Sequence, residues 1–229
     1  MKRFLRLENA TYGHSRIRVQ VFALARAGVL LAALGLGAAS AETRPLRVVA
    51  LGDSLTAGYG LPPGQAFPDV LERALKARGW DVEVANAGVS GETAADGLAR
   101  YDWSVPEGTD ALIVELGAND MLRGLDPGAA ETALAQILER ARAAHVAVLL
   151  MGMRAAPNLG LDYRRRFDAI YPDLAKRFGV ALYPFFLDGV AGDPRLNQSD
   201  GLHPTRDGVA RIVAAILPTV EGVLAEVRP

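Results

Sequence analysis

A serine, a histidine and an aspartate in two short motifs could together carry out nucleophilic catalysis in this chain. Ser54 ends the tripeptide Gly52-Asp53-Ser54, directly after an apolar run. His203 follows Asp200 by three residues in Asp200-Gly201-Leu202-His203-Pro204. At that spacing the aspartate could take the Nδ1 proton of the imidazole, leaving Nε2 free to accept the proton of a serine hydroxyl. The alternative is a polar turn around Ser54 and an Asp-Gly turn beside a surface histidine.

Acyl transfer by such a serine also needs hydrogen-bond donors for the developing oxyanion. The candidates are the backbone N–H of Ser54, the backbone N–H of Gly88 and the side-chain amide of Asn119. The alternative for Asn119 is a turn or cap residue. Asp53 is expected to have a structural role, bonding nearby backbone amides. His145 precedes a predicted strand and therefore lies at the opposite sheet edge, which excludes it as the base.

The elements that must position these residues alternate between strands and helices. Short apolar runs predict strands over residues 46–51, 81–85, 111–116, 146–151 and 181–183, with helices between them and a last helix over 206–226. This alternation predicts a parallel sheet covered on both faces. Ser54, Gly88 and Asn119 each follow one of the first three strands. Because parallel strands end at one edge, the three residues should meet there.

Composition limits the possible functions further. The 229 residues carry a net charge of −1 and include no cysteine, which excludes disulfides and thiolate chemistry. The first 41 residues carry a net charge of +5, so the remainder carries a net charge of −6 and is a poor candidate for binding nucleic acid. The sequence contains no phosphate-binding loop and no closely spaced metal-ligand cluster. We therefore expect no metal.

The first 41 residues resemble a secretion signal. A basic stretch leads into an apolar core that ends in Ala39-Ser40-Ala41, a small-x-small cleavage pattern. We expect cleavage after Ala41 and a single domain over residues 42–229, exported and periplasmic, with no stable membrane span after cleavage. The alternative is an uncleaved anchor, although the apolar core is short for a span.

Taken together, the motifs resemble those of the GDSL, or SGNH, hydrolases, and in particular their multifunctional bacterial periplasmic branch of thioesterases, lysophospholipases and arylesterases. The resemblance rests on Gly52-Asp53-Ser54-Leu55, Gly88, Gly117-Ala118-Asn119-Asp120 and Asp200-Gly201-Leu202-His203-Pro204. It implies a three-layer α/β/α sandwich with a five-stranded parallel sheet of flavodoxin-like order 2-1-3-4-5. It also implies Ser54 as nucleophile, His203 as base, Asp200 as its partner, and an oxyanion hole of Ser54, Gly88 and Asn119.

The implied activity is that of a serine esterase that needs no cofactor. The expected substrates are small aryl and short-to-medium acyl esters, with thioesters and lysophospholipids as further classes. The residues expected to line the substrate cleft are Leu55, Leu122, Arg154, Pro157, Leu159 and Leu202. The alternatives are a carbohydrate O-deacetylase of the same family and a periplasmic binding module without turnover.

Overall fold

The computed structural model describes residues 44–227, so the predicted signal segment lies outside the described residues. Five parallel strands form one sheet of order β2-β1-β3-β4-β5. They are β1 (Leu46–Gly52), β2 (Val82–Gly88), β3 (Ala111–Glu115), β4 (Ala147–Met151) and β5 (Ala181–Tyr183). The predicted strand order is therefore confirmed.

Eight α-helices and one short 3₁₀ turn connect the strands within the described part of the chain. The helices are α1 (Ser54–Ala57), α2 (Phe67–Ala77), α3 (Ala94–Ala99), α4 (Tyr101–Ser104), α5 (Ala118–Leu122), α6 (Pro127–Ala143), α7 (Leu161–Phe178) and α8 (Arg206–Val227), and the 3₁₀ turn is Pro157–Leu159. Helix α2 packs with α8, and α6 packs with both α3 and α7. The sheet lies between these two groups, which gives the predicted three-layer sandwich.

Burial on both faces explains why the central strands are continuous apolar runs. Every residue of β3 is buried, and so is every residue of β1 except Arg47. Glu115, the last residue of β3, is the exception to the apolar pattern, because its side chain is fully buried. Burial of a carboxyl group costs free energy unless hydrogen bonds or nearby charges compensate for the loss of water.

Helix boundaries follow local signals that the sequence carries. Helix α2 begins beside Pro68, and the carboxylate of Asp69 accepts from the N–H of Ala66 at 3.2 Å. Helix α8 begins after Thr205, whose hydroxyl accepts from the N–H of Gly208 at 3.2 Å and so caps the helix. Helix α8 is long and apolar enough to cross a membrane by length and composition. Its buried stripe instead packs against α2 and three strands.

Strand β2 differs most from the expectation. It continues to Gly88 instead of ending at residue 85, because it pairs with β1 as far as Gly52. The segment after Arg100 contains the short helix α4. Asp126 precedes α6 but makes no side-chain cap, since its carboxylate pairs with Arg166.

Candidate active site

Ser54 lies at the carboxyl edge of the sheet, as the alternating pattern predicts. It is the first residue of α1, one residue beyond the buried Asp53 that follows β1. The helix is only four residues long and ends at Gly58, whose φ of 79° is the left-handed conformation that glycine adopts without strain. This tight turn leaves the Ser54 side chain half-buried and open to a cleft.

The structure brings the three predicted residues into one hydrogen-bonded line. His203 Nε2 lies 2.9 Å from Ser54 Oγ, and His203 Nδ1 lies 2.7 Å from Asp200 Oδ2. The other oxygen of Asp200 accepts from the backbone N–H groups of Leu202 and His203 at 2.9 and 3.0 Å. These backbone donors, followed by the imidazole, lower the pKa of Asp200 to about 2. Asp200 therefore stays ionised at neutral pH and orients the imidazole.

A second set of contacts holds the loop that carries Asp200 and His203, called the histidine loop below, against the rest of the site. Gln198 Nε2 donates to the carbonyls of Tyr59 and Pro204 at 2.8 and 3.0 Å, and Gln198 N donates to the carbonyl of His203 at 2.7 Å. The Tyr59 ring packs against the imidazole with a centroid separation of 4.6 Å. These contacts join an otherwise irregular loop to the segment after Ser54, so the Ser54–His203 distance does not depend on the loop alone.

The structure places Gly88 away from its predicted role as an oxyanion donor, and we correct that prediction. The N–H of Gly88 donates to Asn86 Oδ1 at 3.0 Å, and Gly88 is not among the residues that line the cleft. A Cβ at Gly88 would lie 2.2 Å from the backbone nitrogen of Ala57, so the glycine permits β2 to approach α1 closely.

Gly91 is the glycine that reaches the cleft from the same loop. It lies beside Ser54 and Asn119 in the cleft wall and has a φ of 86°. Within residues 44–227, its N–H donates to no other protein group. The sequence offered one signal for this position, the turn Ser90-Gly91 before Glu92, which sequence reasoning passed over in favour of the glycine nearer to the predicted strand end.

Asn119 lines the cleft on α5, as predicted, but its amide already has neighbours. Asn119 Nδ2 lies 3.0 Å from Asp53 Oδ2 and 3.0 Å from the Glu92 carbonyl. Asp53 also accepts from the N–H of Leu55 at 3.0 Å, which is the backbone bond expected of it. The contact between Asp53 and Asn119 was not expected, because it joins residues 66 positions apart. It fixes the rotamer of the Asn119 amide beside Ser54.

Two buried carboxyl groups lie beneath the serine. Asp53 and Glu115 are both fully inaccessible to solvent. Burial raises the pKa of Asp53 to about 6, against the opposing effect of its hydrogen bonds and of nearby His203. Burial, followed by the charge of Asp53, raises the pKa of Glu115 well above its ordinary value.

The cleft that Ser54 faces has a volume of about 690 Å³ and mainly apolar walls. Five of the six predicted lining residues are in place: Leu55, Leu122, Arg154, Pro157 and Leu202. Leu159 is the exception, because its side chain packs against the hydrophobic core instead. Sequence reasoning missed Tyr59, Met121, Met153, Phe185 and Leu187, which also line the cleft. Met121 belongs to α5, and the other four come from loops or turns.

The remaining histidine of the described chain is far from this chemistry. His145 is exposed, follows the end of α6, and has a φ of 56°, which is unusual for a residue other than glycine. It precedes β4 and so lies at the opposite sheet edge, as expected.

Among residues 44–227 no group of His, Asp or Glu side chains is arranged to hold a metal ion. The chemistry that this arrangement supports is nucleophilic attack by a serine that a histidine deprotonates.

Comparison with known proteins agrees with this geometry. Residues 50–211 match the profile of the GDSL-like Lipase/Acylhydrolase family. The chain is 38% identical over 203 residues to Esterase TesA of Pseudomonas aeruginosa, covering 88% of this chain and 99% of that protein. It is 41% identical over 180 residues to Thioesterase 1/protease 1/lysophospholipase L1 of Escherichia coli, covering 78% and 83%.

A solved structure shows the same fold. The crystal structure of AlinE4, an SGNH-hydrolase family esterase, superposes with a TM-score of 0.67 at 47% sequence identity. The superposition covers 80% of this chain and 98% of that one. Because the coverage of the solved chain is nearly complete, the likeness extends over the whole sheet and both helical layers.

Proposed function

The chain belongs to the GDSL-like lipase/acylhydrolase family, and from that premise we propose that it is a serine esterase acting through an acyl-enzyme. It hydrolyses carboxylic esters, with aryl and short-to-medium acyl esters as the substrates that suit its cleft. Thioesters and lysophospholipids are further classes, as the name of the Escherichia coli relative indicates for that protein. The observation that carries the proposal is the Asp200–His203–Ser54 line, which ends in an apolar cleft.

The first half-reaction follows from the hydrogen bonds of this line. His203 Nε2 accepts the proton of Ser54 Oγ as the oxygen attacks the ester carbonyl, and a tetrahedral intermediate forms. The imidazolium is stabilised by Asp200 on its other nitrogen. It then donates the proton to the leaving alcohol or thiol, and the acyl group remains on Ser54. In the second half-reaction, water attacks the acyl-enzyme with His203 again acting as base.

The oxyanion of each intermediate needs donors beside Ser54. Our proposal assigns this role to the N–H groups of Ser54 and Gly91 and to the side-chain amide of Asn119. Ser54 opens α1, so its N–H is one of those a helix leaves without an internal partner. The substrate oxygen would compete with the Glu92 carbonyl for Asn119 Nδ2, while Asp53 keeps the amide oriented.

The shape of the cleft supports acyl esters over acetylated sugars. Its walls include two methionines, several leucines and Phe185, and they offer few hydrogen-bond partners for a carbohydrate. Arg154 stacks over the Phe185 ring at 4.9 Å from the centroid and places a cation in the wall. A carbohydrate O-deacetylase would need a more polar surface to satisfy the sugar hydroxyls.

The proposal also includes export to the periplasm. It is supported by the basic stretch, the short apolar core and the small-x-small pattern ending at Ala41. Intact mass measurement of the mature protein from a periplasmic fraction tests it. A mature chain that begins at Glu42 supports export and cleavage, whereas a full-length chain retained in the membrane supports an uncleaved anchor.

The test of the function is hydrolysis of p-nitrophenyl acetate, butyrate, octanoate and palmitate by the processed protein and by Ser54→Ala. We expect turnover by the wild type and loss of nearly all turnover in the variant. The preference of the wild type among the four acyl-chain lengths should report the length of the cleft. Labelling by a fluorophosphonate should likewise require Ser54. Equal turnover in both proteins would contradict the assignment of the nucleophile. Activity confined to acetylated sugars would favour the deacetylase, and ligand binding without turnover would favour a binding module.

A further inference from the structure

Glu115 occupies the space directly beneath the turn that carries Ser54. It ends β3 and is paired with Gly52, which ends β1. A Cβ on Gly52 would lie 2.7 Å from Glu115 Oε2 and 2.1 Å from Thr56 Oγ1. The absence of a side chain at Gly52 therefore admits the carboxyl group of Glu115. The turn from Gly52 to Thr56 is built around that group.

Hydrogen bonds connect the carboxyl group to the turn on both sides of the serine. Thr56 Oγ1 donates to Glu115 Oε2 at 2.7 Å. The backbone N–H groups of Asp53 and Thr56 also lie near the carboxyl group, and together with the Thr56 hydroxyl they oppose the rise in the pKa of Glu115 that burial and the charge of Asp53 cause. Residues 53 and 56 flank Ser54, so a shift of the Glu115 carboxyl would move the nucleophile and its own N–H together.

We propose that Glu115 is a positioning residue that holds the Ser54 turn in its reactive geometry through Thr56 and the backbone above Gly52. The inference rests on the proposed esterase function, because it concerns the geometry of that reaction. Glu115 does not line the cleft and does not touch His203, so it acts through the turn and not on the substrate. No chemical step passes through its carboxyl group.

Burial and the neighbouring charge of Asp53 favour the neutral acid of Glu115 over its ionised form. Its second oxygen, Oε1, is buried with no hydrogen-bond partner within residues 44–227. The titratable groups near it are the carboxyl of Asp53 and the phenol of Tyr171, whose hydroxyl donates to the Leu116 carbonyl. Arg100 donates to the Gly52 carbonyl but pairs its charge with Glu92. An ionised Glu115 would thus face Asp53 without a cation of its own.

Protonation is compatible with the contact to Thr56. A protonated carboxyl can donate to a hydroxyl oxygen as well as accept from the hydroxyl, so the 2.7 Å contact persists in the neutral form. The negative charge of the pair then stays on Asp53, where Leu55 N–H and Asn119 Nδ2 bind it. In this arrangement Glu115 positions the turn while Asp53 orients the amide.

The test compares four variants in the full chain: Glu115→Gln, Glu115→Ala, Thr56→Ser and Thr56→Val. Glutamine is neutral and nearly isosteric, and its amide oxygen can accept from Thr56, so kcat should stay close to the wild-type value. Glu115→Ala and Thr56→Val remove the contact, and kcat for p-nitrophenyl butyrate should fall about 10- to 100-fold, as expected for a displaced reacting group. KM should not change, because the cleft walls are untouched. Thr56→Ser should behave as wild type.

Each outcome decides a part of the inference. Unchanged kcat in both Glu115→Ala and Thr56→Val would overturn the positioning role. A loss in Glu115→Gln as large as that in Glu115→Ala would show that the ionised form is needed and would overturn the neutral acid. If Glu115→Ala does not fold, the comparison of Thr56→Val with Thr56→Ser tests the positioning role, because both variants leave Glu115 in place.

A separate readout distinguishes this inference from the proposed function. The rate at which a fluorophosphonate labels Ser54 should fall in parallel with kcat in Glu115→Ala and Thr56→Val, and the labelling does not depend on the choice of ester. A wild type that hydrolyses none of the esters and takes no label would remove the proposed function, and this inference with it. A wild type that does both, with all four variants equal to it, would remove the inference alone.

Discussion

The histidine loop and the floor beneath Ser54 use the same functional group in opposite ways. In the loop, Asp200 is exposed to solvent, and three nearby donors lower its pKa to about 2. In the floor, which consists of Asp53, Thr56 and Glu115, burial raises the pKa of Asp53 to about 6 and raises that of Glu115 well above its ordinary value. The exposure of a carboxyl group to water and the number of its hydrogen-bond donors therefore determine its pKa in this site more than whether the residue is Asp or Glu.

The two regions also differ in how they are assembled. Asp200 and His203 are three residues apart, and their contact needs only one turn of chain. The floor joins Thr56 to Glu115 across 59 residues and Asp53 to Asn119 across 66. Substitutions in the loop should therefore act mainly on catalysis, whereas substitutions in the floor should act on both catalysis and stability. The predictions below test this difference, beginning with the largest effect.

Replacement of His203 should have the largest effect on activity. His203→Ala removes the base from Ser54, and kcat should fall on the order of 10⁶-fold, as for loss of a base in a comparable triad. The ring is half-buried in an irregular loop, so thermal stability should change little. Ester turnover and a thermal melt of the same preparation test both parts. Turnover near one tenth of wild type would contradict the role of His203.

Replacement of Asp200 should reduce activity less. Asp200→Asn keeps the shape of the loop but loses the charge that orients and stabilises the imidazolium, and kcat should fall about 10⁴-fold. Because the pKa of Asp200 is about 2, it stays ionised between about pH 5 and pH 9 and does not shape the acid limb of the rate. A pH profile whose acid limb disappears in Asp200→Asn would contradict this assignment.

The floor should respond in both activity and stability. Asp53→Asn loses the charge beside Asn119 and His203, and kcat should fall about tenfold, the difference between a charged and a neutral hydrogen bond.

The stability of the floor should depend on pH through Asp53. Since the folded-state pKa of about 6 exceeds the unfolded value of 3.8, the folded protein binds more protons than the unfolded protein between these pH values. The contribution of Asp53 to the free energy of unfolding therefore falls by about 3 kcal/mol in total as pH rises from below its unfolded pKa to above its folded pKa.

Urea unfolding at about pH 4 and pH 7.5 measures this effect. The free energy of unfolding of Asp53→Asn relative to wild type should increase between the two pH values, because the variant has no buried carboxyl to ionise at position 53. A difference that is the same at both pH values would contradict the raised pKa. Asp200→Asn serves as the matched control, since its pKa is lowered and it should show no such increase over this range.

The smallest effect is expected at the other histidine. His145→Gly should leave kcat unchanged, because His145 is exposed at the opposite sheet edge. A side chain at a φ of 56° costs about 1–2 kcal/mol, and glycine loses about 0.5–1 kcal/mol more backbone entropy on folding, so stability should rise by about 0.5 kcal/mol. Kinetics and urea unfolding of the variant test this. A loss of turnover would contradict the distinction between the two histidines.

Local patterns in the sequence were sufficient for the five strands and for the contact between Asp200 and His203, whereas the order of the strands in the sheet was implied by the family resemblance. Alternating apolar runs predicted the five strands, and each lies within a few residues of its predicted position. Because parallel strands end at one edge, Ser54 and Asn119 could be placed together before any coordinates were known. The Asp200–His203 contact also follows from three-residue spacing, since it needs no distant partner.

The wall of the cleft required the tertiary structure. Gly88 was predicted to follow strand β2, but β2 pairs with β1 as far as Gly52 and therefore contains Gly88, so the turn lies further along the chain. Leu159 was expected in the cleft, but it packs into the core from a 3₁₀ turn. Met153 and Phe185 enter the cleft from loops whose direction depends on what they pack against, which the sequence does not encode locally.

The sequence by itself thus determined the five strands, the place of Ser54 at the sheet edge and the pairing of Asp200 with His203, because each depends on periodicity or on short spacing. The tertiary structure alone decided which glycine faces Ser54 and how Asp53 binds Asn119. It also decided that Glu115 lies buried beneath the nucleophile. These features depend on long-range packing and on the removal of water from carboxyl groups, and both arise only when the strands are brought side by side.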